Sequence, residues 1–153
     1  MREGQPIFRL ALFAFFSGTL SCKKPSDPRT EPLRILLQEV TVAFAEMHNR
    51  IKRTQTDDEL IVVLSEYTAK INGFTKRKEE ILGPNVVLTP DELRQFRGAL
   101  QPEVDRFRSE AIALRATIID LKWHEKTSEK NRKFAGAVRD FFKALTYLSK
   151  NTR

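Results

Sequence analysis

The chain has 153 residues, with 27 Lys and Arg against 20 Asp and Glu, a formal charge of +7, six Gly and one Cys. This length predicts one small domain, and a single cysteine excludes an intramolecular disulfide and any zinc site built on several thiolates. With 31% charged and 41% hydrophobic residues, the composition is that of a foldable chain and not of a disordered, collagen-like or multispanning one.

The first 22 residues read as a processing segment. Arg2 and Arg9 mark a charged start, Leu10 to Phe16 is an unbroken apolar run, and the small residues Ser17, Gly18, Thr19 and Ser21 follow. This is the order of regions in a secretory signal. The apolar run falls well short of the roughly 20 residues that a bilayer-spanning helix needs, so a permanent transmembrane helix is not expected. The cysteine, Cys22, stands at the boundary where cleavage occurs, preceded by Leu20 and Ser21. On these residues the segment resembles the signal of bacterial lipoproteins, whose lipobox ends in a small residue and the acylated cysteine. Thr19 stands where that family usually has Leu, so the match is to a relaxed lipobox. The resemblance implies a diacylglyceryl group on the Cys22 thiol and cleavage between Ser21 and Cys22. Thr19 and Ser21 also suit a general signal peptidase, which leaves ordinary secretion as the alternative. Acyl chains contribute about 0.8 kcal/mol per buried CH2, so several hold firmly where one does not.

Residues 23–32, KKPSDPRTEP, hold three prolines and no aliphatic side chain. They read as a semi-rigid spacer, reaching about 30 Å if extended as polyproline. The expected organisation is therefore a signal peptide over 1–21, a lipidated cysteine with its tether over 22–32, and a domain over 33–153.

From Glu31 onward apolar residues recur at steps of three and four, the signature of amphipathic helices. The first series is Leu33, Leu37, Val40, Phe44, Met47 and Ile51. A capping box at Thr56 to Glu59 opens the second, which runs Leu60, Leu64, Tyr67, Ile71 and Phe74 to Ile81, is interrupted once by Lys78, and stops at Gly83-Pro84. The third opens with Thr89-Pro90-Asp91-Glu92, with proline at the first helical position, and continues from Leu93 through Phe96, Leu100, Val104, Phe107, Ala111, Leu114 and Ile118 to Leu121. Pro102 lies inside it; because the spacing keeps its phase, the expectation is a bend and not a break. The fourth, with Ser128 as N-cap, carries Phe134, Val138, Phe141, Leu145 and Leu148. Short connections then predict an all-α, antiparallel up-down four-helix bundle with a kinked third helix. Ile61, Val62, Ile112, Ile119 and Phe142 lie off the main stripes, where they either widen the core face or make a homodimer interface.

The charge is uneven. Residues 127–153 carry +5, through Lys130, Arg132, Lys133, Arg139, Lys143, Lys150 and Arg153 against Glu129 and Asp140, and residues 22–30 carry +2. A basic last helix on an anchored protein is drawn to anionic headgroups or other anionic envelope surfaces, or is simply a solvated face. Short basic clusters at 50–53 and 75–78 come with no nucleic-acid recognition motif or aromatic platform, and export argues against a nucleic-acid partner.

Catalytic constellations are missing. His48 and His124 are the only histidines, and no nucleophile elbow, zinc-binding helix motif, phosphate loop or dinucleotide fingerprint occurs. The Glu-x-x-His of di-iron bundles is absent, with Ala45 and Leu121 in the Glu positions. Met47 and His48 raise haem ligation, but no haem-attachment motif exists and the last helix has no histidine. No cofactor, metal site or catalytic residue is therefore expected. The sequence predicts a lipid-anchored, non-enzymatic binding or structural module of the cell envelope, with a secreted ligand-, haem- or metal-binding bundle as the alternative.

Overall fold

A computed structural model of the chain describes residues 27–84, 86–121 and 129–149. Among them there are four helices and no strand: α1 (Thr30–Arg53), α2 (Asp57–Leu82), α3 (Pro90–Asp120) and α4 (Glu129–Ser149). No helix among the described residues is long and apolar enough to cross a membrane.

The helix ends follow from local chemistry. The Thr89 hydroxyl accepts from the Glu92 amide at 3.2 Å while the Glu92 carboxylate accepts from the Thr89 amide at 2.8 Å, a complete capping box. At α2 the Thr56 hydroxyl accepts from the Glu59 amide in the same way, but the Glu59 carboxylate reaches one residue further back, to the Gln55 amide at 2.9 Å. α1 begins earlier than expected. Asp27 accepts the Arg29 amide at 2.8 Å and its carbonyl takes the Thr30 amide at 2.9 Å, so the helix starts inside the stretch read as a spacer. The Ser128 cap expected for α4 lies outside the described residues.

Pro102 leaves α3 uninterrupted. It removes the donor for the Gly98 carbonyl, and both Pro102 and Gly98 are exposed. The next carbonyl, that of Ala99, also accepts from the Arg34 guanidinium at 3.0 Å.

Helix directions can be read from the pairs that join them. Arg29 meets Glu92, Arg34 meets Glu103, Phe44 meets Phe107 and His48 meets Thr117, so α1 and α3 run the same way. Arg50 pairs with Glu66, Lys70 with Glu46 and Arg77 with Glu39, so α1 and α2 run in opposite directions. Lys78 near the end of α2 touches the end of α4, which sets those two parallel. The direction thus alternates along the chain, as expected of an up-down four-helix bundle. The most extensive contacts, however, are between the like-directed pairs α1–α3 and α2–α4, with α1–α2 joining them.

The main core cluster draws on all four helices, including Val40, Phe44 and Met47 of α1, Leu64, Tyr67 and Ile71 of α2, Leu114 and Ile118 of α3, and Phe134 and Phe141 of α4. A smaller cluster of Leu82, Leu88, Phe96, Leu100 and Val104 lies where α1 and α3 begin and α2 and α4 end. Of the off-stripe residues, Ile61 and Phe142 pack on the main core, whereas Val62, Ile112 and Ile119 are exposed.

The turn closing this end depends on Gly83, whose φ of 94° and ψ of 151° fall in a region open essentially only to glycine. The extended ψ is also what a following proline demands. A Cβ at this position would stand 2.8 Å from Cγ2 of Val86. Gly83→Ala is expected to lower unfolding free energy by about 2 kcal/mol, read from denaturant unfolding curves; an unchanged midpoint would count against this account of the turn.

Candidate functional site: an apolar cavity at the chain's point of emergence

Between the two core clusters the side chains do not close completely, leaving a cavity of about 120 Å³. All four helices contribute to its wall, with Leu36 and Phe44 from α1, Leu82 from α2, Leu100 and Phe107 from α3, and Leu148 from α4. The lining is aliphatic and aromatic apart from Lys78, Arg97 and Ser149. Periodicity explains both the apolar wall and its exceptions. Lys78 continues the seven-residue line of Leu64 and Ile71, and Arg97 begins the line of Val104, Ala111 and Ile118. Two cations therefore occupy positions that the helical repeat assigns to the core, at the same end of the bundle.

Lys78 is 7% exposed. Its ammonium donates to the carbonyls of Leu148 at 2.8 Å and Tyr147 at 3.3 Å, so a side chain of α2 caps the last turn of α4. A cation suits the negative end of a helix dipole. Burial nevertheless pushes the Lys78 ammonium down to about 8, with neighbouring Glu79 opposing the shift. Arg97, also 7% exposed, is shifted downward, first by burial and then by the nearby positive charge of Arg108.

Beside the cavity the chain enters the fold through a small charged knot. Arg29 donates to both Asp27 carboxylate oxygens, at 3.0 and 2.7 Å, and to Glu92 at 2.7 Å, and its guanidinium lies 5.1 Å from the ring centre of Phe96. These hydrogen bonds hold the Asp27 and Glu92 carboxyls below the usual range. Glu92 thus caps α3 and, through Arg29, fastens the start of α1 beside it.

The basic residues of the last helix sort by position. Arg132, Arg139 and Lys143 are exposed and share one face at spacings of seven and four, Lys133 is exposed on an adjoining face, and Arg139 has Asp140 3.9 Å away. Lys130 belongs to α4, and Lys150 lies outside the described residues, as do Cys22 and His124. The clusters at 50–53 and 75–78 are partly consumed in packing: Arg50 pairs with Glu66 beside Tyr67, Arg77 pairs with Glu39, and Lys78 is buried.

The residues weighed for haem have structural surroundings. Met47 is fully buried in the main core cluster. Nε2 of His48 lies 2.7 Å from the Thr117 hydroxyl, which itself donates to the Ala113 carbonyl at 3.1 Å. With that proton committed, the hydroxyl accepts from Nε2–H, and His48 is held against α3. Among the described residues no group of three or more His, Cys, Asp or Glu is arranged to hold a metal ion.

Comparison of the chain with protein-family models, curated proteins and solved structures returned no match. Lys78 was visible in the sequence as an interruption of the α2 stripe. Arg97 was missed, although extending the line of Ile118, Ala111 and Val104 backward by seven finds it.

Because the Lys78 ammonium is lowered from 10.5 to about 8 in the folded state, the unfolded chain binds more protons between those values. Stability attributable to this group therefore rises as pH climbs from 8 to 10.5, and its burial penalty is fully present below 8. Relative to Lys78→Met, the wild type should gain up to about 3 kcal/mol across this window, taking 1.36 kcal/mol per pH unit. Paired denaturant titrations of the two proteins at pH 7, 8.5 and 10 read the difference; a pH-independent gap would refute the assignment.

Proposed function

We propose that the protein is a lipid-anchored helical bundle of the bacterial cell envelope that acts without catalysis, as a binding or structural module. The observation that carries this reading is the place of the lone cysteine. Cys22 follows a signal-like segment, with Leu20 and Ser21 before it, and stands only five positions before Asp27, the first of the described residues, whose carboxylate pairs with Arg29. At about 3.5 Å per residue the intervening chain reaches at most roughly 17 Å, against the 30 Å implied by a spacer running to residue 32. The anchor would then keep the cavity end of the bundle close to the membrane surface.

Two features support a binding role. The exposed stripe of Arg132, Arg139 and Lys143 on α4 offers a positive face to an anionic surface. The secreted ligand-binding alternative draws its support from the apolar cavity. The exposed Val62, Ile112 and Ile119 support self-association as a further proposal.

Expression with a radiolabelled or click-reactive fatty acid tests the anchor. Wild-type protein is expected to take up label and partition into the detergent phase, and Cys22→Ala to take up none. Label retained on the Cys22→Ala protein would overturn the assignment. For the basic face, Arg132→Glu with Arg139→Glu and Lys143→Glu should abolish sedimentation of the Cys22→Ala protein with anionic vesicles, and sedimentation of that variant equal to its parent's would remove the surface-binding role.

A further inference from the structure

We propose that the cavity between the two core clusters is a binding site for the tail of a free single-chain amphiphile with an anionic head, of the fatty-acid class, and that Lys78 and Arg97 provide the positive charge its head requires. The inference rests on the binding half of the proposed function and is independent of the anchor on Cys22.

The cavity sets the shape of the ligand. At 120 Å³ it is far below the roughly 300–1,000 Å³ of sites that enclose a whole drug-sized molecule. It is close to the 150 Å³ apolar void that stays dry and takes benzene in an engineered helical protein. A methylene is similar in size to a water molecule, whose share of liquid volume is about 30 Å³, so about four carbons fit. An apolar wall around a space of this size suits the end of one acyl chain, with the rest of the ligand directed toward the rim. The lining residues Leu36, Val40, Phe44, Leu100 and Phe107 supply no polar group for water to bond.

The charge sets the chemistry of the head. Lys78 and Arg97 come from α2 and α3, line the same cavity, and are each only 7% exposed. Arg97 also feels the positive charge of Arg108. Low-dielectric surroundings strengthen the field of such charges and raise the local concentration of anions. A carboxylate at the cavity mouth would meet that field, whereas a neutral head of equal length would gain nothing from it. Ser149, at the end of α4, adds a hydroxyl to the same wall.

Calorimetric titration of the full-length Cys22→Ala protein with butanoate, hexanoate, octanoate and 1-octanol tests the proposal without mutating the site. Affinity should rise roughly fourfold per carbon within the series until the cavity is filled, and octanoate should bind at least tenfold more tightly than octanol. Leu100→Trp, which fills the space, should abolish heats for every ligand while circular dichroism keeps the helical signal. Arg97→Gln should remove most of the octanoate preference over octanol. Octanol binding as tightly as octanoate would overturn the role of the two cations, and no chain-length dependence would overturn the cavity as the site. Octanoate binding to Cys22→Ala protein but not to acyl-labelled wild type would overturn the free amphiphile as occupant, because the protein's own acyl chain would then fill the site. Failure of acyl labelling leaves these titrations unaffected, so the two readings fail separately.

Discussion

The buried stripe of α1 is the constraint on which the bundle depends. Leu36, Val40, Ala43, Phe44, Met47 and Ile51 are all buried, and α1 packs on two others, α3 in the same direction and α2 in the opposite one, just as α2 packs on α4 and α1. A single helix with two partners needs an apolar face wider than one seam, and the pairs Leu36–Leu37 and Ala43–Phe44 provide it. The flanks are polar in a complementary way. Glu39, Glu46 and Arg50 meet Arg77, Lys70 and Glu66 of α2, while Arg29 and Arg34 meet Glu92 and Glu103 of α3. The α1–α2 pairs are exposed and contribute little energy each. Their opposite signs at matched heights favour this alignment over a slipped one.

The end of the bundle that receives the N-terminal segment is built differently from the rest. There the two clusters stay apart, the helix repeat places Lys78 and Arg97 on core lines, and a glycine-only turn carries the chain from α2 to α3. A hydrophobe at either cationic position would continue the core. Burying an ammonium costs free energy that its two carbonyl contacts on α4 only partly offset. Those contacts tie the ends of α2 and α4 together. Both cations line the cavity between the two clusters.

Helix existence and extent were legible because each signal was local. Thr56, Thr89, Pro90, Gly83 and Pro84 act on their own neighbours, and the three-four spacing of leucines and phenylalanines needs no knowledge of partners. The start of α1 was placed late, because the proline-rich composition of residues 23–32 concealed the Asp27–Arg29 turn, whose stabilising partner Glu92 is distant in sequence. The cavity was not legible at all. It arises from a mismatch between clusters contributed by four helices, and no stretch of sequence contains it.

The sequence by itself determined four amphipathic helices, the caps of the second and third, a third helix that survives Pro102, and a lone cysteine at the end of a signal-like segment, since these follow from backbone hydrogen bonding, side-chain period and residue order. Only the tertiary structure decided which helices become principal partners, that Lys78 caps α4 instead of facing solvent, and that Arg97 shares its cavity. Those outcomes depend on how four apolar faces of unequal width fill space together, and close packing is a property of the assembled set and of no helix alone.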